Sequence, residues 1–134
     1  MIAALIFVVS VGTLLQFFVS YSRSVIVASR RHELSEEACE ICGFTAQTVA
    51  GDKFGRLLQL ISLCPEPGVD SLEVRAVALY FRLLDAARLL LGVGISSATT
   101  WIESERSGCA YAAAVVLDRR IAYSRSMLEH QAGR

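Results

Sequence analysis

The sequence predicts an all-α protein: a single N-terminal transmembrane helix followed by a small helical bundle of about four helices. Three observations carry that prediction. The first nineteen residues contain no charge and are apolar on every side. Nowhere do apolar and polar residues alternate as in a half-buried strand, and no hairpin dipeptide occurs. Later segments repeat apolar residues at i, i+3, i+4, i+7 spacing, punctuated by helix caps and by Pro and Gly breaks.

The first segment, Met1 to Val19, is interrupted only by Ser10, Gly12, Thr13 and Gln16. At 1.5 Å per residue it covers roughly 28 Å, close to the hydrocarbon thickness of a bilayer. A cleaved signal peptide fits less well: no Lys or Arg precedes the apolar run, and Phe17 and Phe18 close it. A buried core helix also fits less well, because no polar face is present. The segment therefore reads as a signal-anchor. Arg23, Arg30 and Arg31 follow it, so the positive-inside rule places the N-terminus outside and the C-terminal domain in the cytoplasm. The organisation expected is an anchor over 1–22, a basic juxtamembrane segment over 23–33 and a bundle over 34–134. Val25, Ile26 and Val27 are expected at headgroup level.

The chain has 134 residues, 54% of them apolar and only 19% charged, with a net charge of zero. Disorder is excluded by the apolar mass, and nothing in the overall charge suggests nucleic acid. The charge is nevertheless uneven. The first 32 residues carry +3 and the remainder −3, with a second basic group at Arg119, Arg120, Arg125 and Arg134. Solvated faces account for this pattern; the sharper reading puts both basic ends at the membrane surface.

Four helices are expected after the anchor. Ser35 caps the first, with Ala38, Ile41, Cys42, Thr45 and Val49 on one face and Glu33, Glu36, Glu37 and Glu40 on the other. Gly51-Asp52 stops it and starts the second, Lys53 to Leu63, whose inner face is Phe54, Leu57, Leu58, Ile61 and Cys64. Pro65-Glu-Pro-Gly68 is a turn. Asp70-Ser-Leu-Glu73 is a capping box for a third helix over 71–91. Apolar on most of its circumference outside the Arg75–Arg82 stripe, this third helix is expected to be central, with Leu79 and Leu83 buried. Asp85 is expected to pair within the helix with Arg82 and Arg88. After Gly92-Val-Gly94, Ser96 or Ser97 starts a last long helix to about Glu129, with a weak point at Glu103–Gly108. Its Cys109-Ala-Tyr-Ala-Ala-Ala-Val run suits close helix approach.

Few constellations carry chemistry. Cys39-Glu-Ile-Cys42 is a C-x-x-C, but Cys64 and Cys109 do not complete a zinc-ribbon spacing. A cytoplasmic domain disfavours disulfides, so the cysteines read as small core residues. His32 and His130 belong to no metal motif, and no phosphate loop or nucleophile elbow is present. Trp101 reads as core, with partner anchoring as the other possibility. No catalytic, cofactor-binding or metal residue is assigned, and no cofactor. The expected function is non-enzymatic: a scaffold, adaptor or accessory subunit of a membrane complex, bound to membrane lipid and to a protein partner or a second copy, and not to nucleic acid. The alternative is a helical metal-, cluster- or cofactor-binding membrane protein using Cys39 and Cys42.

Overall fold

The computed structural model describes residues 1–34, 40, 53–65, 71–91 and 96–133. Within them lie four α-helices and no strand: α1 (Ile2–Ser29), α2 (Phe54–Leu63), α3 (Ser71–Leu91) and α4 (Ser96–Ala132). The all-α expectation therefore holds, and the last three helices fall where caps and breaks placed them. The expected first bundle helix, with Cys39, Cys42, Glu36 and Glu37, lies outside the described residues. So do Gly51-Asp52, residues 66–70 and residues 92–95.

α1 lives in two environments. It is long and apolar enough to cross a membrane. From Ile2 to Phe17 every side chain is exposed. From Phe18 onward one face turns into the bundle: Ser22, Ile26 and Ser29 are buried, while Phe18, Val19 and Val25 pack against the core. Ile26, expected among lipid headgroups with its neighbours, is only 4% exposed and belongs to the core. Gly108 of α4 is the reason. A Cβ added there would lie 2.7 Å from Ile26 Cγ2 and 3.2 Å from Arg30 Nη2. The missing side chain lets the two helices close on each other.

α4, rather than α3, is the enclosed helix. It packs against α1, α2 and α3. Cys109, Ala110, Ala112, Ala113 and Ala114 are all buried, and their small side chains let three neighbours approach one axis. The helix continues unbroken through the Glu103–Gly108 stretch.

α3 contacts α1 and α4 and stacks Phe81 on Phe54 of α2, with ring centroids 4.1 Å apart. Its buried face is Val77, Tyr80, Phe81 and Leu84. Leu79 and Leu83, expected inside, are 51% and 40% exposed. With apolar residues around most of the circumference, periodicity does not select the inner face. The aromatic pair does, since Tyr80 and Phe81 bury the larger areas.

α2 buries Phe54, Leu57 and Ile61 as expected. It ends where Cys64 turns extended (ψ 143°) before Pro65, the conformation a following proline favours. Buried Arg120 of α4 donates from Nη1 to the carbonyls of Ile61 (2.8 Å) and Cys64 (3.4 Å), capping that end.

The Gly108 contact is directly testable. Gly108→Val should destabilise the protein by about 1–3 kcal/mol through overpacking against Ile26. Gly55→Ala, which meets nothing within 4 Å, should be neutral or stabilising by up to about 1 kcal/mol. Chemical denaturation of both variants in detergent reads the contrast.

Candidate functional site

A layer of charged side chains crosses the bundle where α1, α3 and α4 meet. Arg23 of α1 lies 3.2 Å from Glu105 of α4, and the Tyr80 hydroxyl of α3 donates to the same carboxylate at 3.1 Å. Glu105 is thus shared by two helices besides its own. Beside it, Arg106 is buried, 3.0 Å from Asp85 of α3 and 3.0 Å from Glu103. Its guanidinium sits 5.0 Å above the Phe81 ring. Arg88 of α3 completes the layer, 3.2 Å from Glu103. Asp85 and Arg88 therefore reach across to α4, where pairing along their own helix was expected. A guanidinium suits this position because its flat face packs on an aromatic ring while its edge meets carboxylates.

Among the described residues, no group of three or more His, Cys, Asp or Glu side chains is arranged to hold a metal ion. Of the cysteines weighed in sequence, Cys64 is half-buried and Cys109 fully buried, and both are free thiols. His32 and His130 are exposed, far apart on the chain; the His32 carbonyl accepts from the Tyr111 hydroxyl at 2.7 Å. Glu33 and Glu40 are exposed. Arg120, grouped in sequence with a basic surface, is buried as the cap of α2. Because α1 and α4 run parallel, Arg119 and Arg125 lie away from the exposed apolar half of α1.

The most unusual surface is the outer face of α3. Leu72, Ala76, Leu79, Leu83 and Ala86 follow alternating steps of four and three residues, the spacing of a coiled-coil seam. Leu72 is 70% exposed, and Leu79, Leu83 and Ala86 are exposed as well. Exposed Arg75 and Arg82 border the seam. Of these leucines, Leu79 and Leu83 were expected in the core. The three-four alternation was the available signal that one helix carried two apolar faces. Trp101, also assigned to the core, is 47% exposed.

Burial at the charged layer shifts two titrations. It pushes the Cys109 thiol up to about 12, with the Glu105 charge adding to the effect. Burial raises Tyr80 too, and again Glu105 reinforces it. Below about pH 7 both groups are neutral in the folded and unfolded chain, and they add no pH dependence. Above that, the unfolded thiol ionises while the folded one does not, so protons leave the unfolded state first. Stability should therefore fall as pH rises from about 9 to about 12, and Cys109→Ala should flatten the decline. Denaturation midpoints measured across that range in both proteins check this.

No family model matches the sequence, and no curated protein and no solved structure matches it either.

Proposed function

We propose that this chain is a single-pass membrane protein whose work is binding: it holds a rigid helical bundle at the membrane and offers the outer face of α3 to a helix of a partner protein. The observation that carries the reading is the exposed leucine seam. A monomeric soluble domain rarely leaves a continuous apolar stripe uncovered, and such a stripe marks an interaction site. Heptad spacing fits an α-helical partner, since knobs from one helix enter holes of the other at these positions. Arg75 and Arg82 along one border favour a partner helix that flanks its own apolar seam with carboxylates. Membrane anchoring is supported by the length and apolar character of α1 and by its exposed first half.

The proposed topology has the N-terminus outside and the bundle in the cytoplasm. Arg30 and Arg31, exposed just past the end of α1, support it through the positive-inside bias. Arg23 contributes less than it does in the bare sequence, because its charge is paired with Glu105.

The reading is tested by the double variant Leu79→Glu/Leu83→Glu. Both side chains are exposed, so the melting temperature should change little. Recovery of the partner after gentle membrane extraction should fall by tenfold or more, on the order of the loss from charging the centre of an apolar seam. Undiminished recovery with the same partner would remove the α3 face from the interface.

A further inference from the structure

From the register of the three helices we infer that the end of the bundle formed by the close of α3 and the start of α4 is itself seated in the lipid interface, so that the protein meets the bilayer at a second place beside α1. This inference rests on the membrane reading of α1 given above.

The register is fixed by cross-helix contacts. α1 and α4 run parallel, since Arg23 meets Glu105, Ile26 meets Gly108, and the His32 carbonyl meets Tyr111. α3 runs antiparallel to α4, since Glu73 lies by Arg119 (3.7 Å), Asp85 by Arg106 and Arg88 by Glu103. The end of α3 and the start of α4 therefore point the same way as the lipid-type half of α1. Trp101 precedes Glu105 by one helical turn, about 6 Å, which sets it level with Val19. Leu89 and Leu90, just past Arg88, fall at the same height.

The charges respect that height on all three helices. α1 carries no charged side chain before Arg23. Between Arg88 and Glu103 the sequence holds no charged residue either. Arg23–Glu105 and Arg88–Glu103 thus form one charged layer, and on its α1 N-terminal side the described residues of α1, α3 and α4 carry no charged side chain. What lies exposed there is apolar or amphipathic: Leu89 and Leu90 are each 82% exposed, Trp101 47% and Tyr21 of α1 43%. Three exposed apolar side chains in water would be costly. At the headgroup boundary they are favourable, and Trp and Tyr prefer that depth. Lipid is the occupant indicated because the surface continues the exposed apolar surface of α1, and the charged layer bounds both.

Trp101 is the only tryptophan, so its emission reports the site without labelling. The full chain is reconstituted in phosphatidylcholine vesicles containing some phosphatidylglycerol. Lipid nitroxides at a shallow or a deep acyl position, and aqueous iodide, are then compared as quenchers. The shallow nitroxide should quench emission by about twofold, more than the deep one, with little effect from iodide, as an interfacial indole requires. Iodide quenching without lipid quenching would overturn the inference by leaving Trp101 in water. Shielding from all three would overturn it in favour of a covering protein chain, and stronger quenching by the deep label would overturn the interfacial placement. Leu89→Ser/Leu90→Ser should reduce the lipid quenching, and unchanged quenching would remove the end of α3 from the contact. Carbonate extraction of the same vesicles separates the two claims. Release of the protein refutes the anchor itself, whereas retention with a water-exposed Trp101 refutes only the second contact.

Discussion

The close approach of α1 to α4 at Gly108 is the contact on which the remaining geometry depends. With no side chain at that position, Ile26 enters the core and Ser22 and Ser29 are buried against the bundle. Only at that separation do Arg23 and Glu105 come within 3.2 Å, with Tyr80 donating to the same carboxylate. Exposed ion pairs contribute little to stability, and Arg23 is half-exposed, so the pair acts mainly to set register. The apolar contact supplies the binding, and the carboxylate decides the height at which the helices stop sliding.

A helix of 28 residues fixed in this way cannot behave as a tether on a floppy link. Its first half presents apolar side chains outward on all sides, and its second half is one wall of the bundle. The orientation of the bundle relative to α1 is then determined by packing. So is the outward direction of the exposed α3 face. Under the proposed binding role such rigidity is an advantage, because less freedom would be lost on docking.

Much of the fold was legible in the sequence. α3 begins at Ser71, where the sequence places a helix start, and α2 ends before Pro65, because such starts and breaks act through local backbone chemistry. What the sequence concealed was the choice among apolar faces. α3 is apolar on two sides, so Leu79 and Leu83 looked as fit for the core as Val77 and Leu84; the Phe54–Phe81 stack and Arg106 decide the matter, and both are long-range. The central place of α4 was hidden because alanines have little hydrophobic weight individually, and their value lies in letting others come close. Ile26 was misplaced for a similar reason: an uninterrupted apolar helix carries no mark of where lipid gives way to protein. Arg120 read as a surface charge, since burial of a guanidinium depends on partners distant in sequence.

The central claim is that the second half of α1 is part of the bundle's cooperative core. Hydrogen exchange of the full chain in detergent tests it most directly. Amides of residues 22–29 should exchange as slowly as those of 109–117 and should be lost to exchange together with them, as members of one unfolding unit. Exchange of residues 22–29 in a much faster class, while 109–117 stay protected, would contradict the account and make α1 a separate helix attached to an independent bundle.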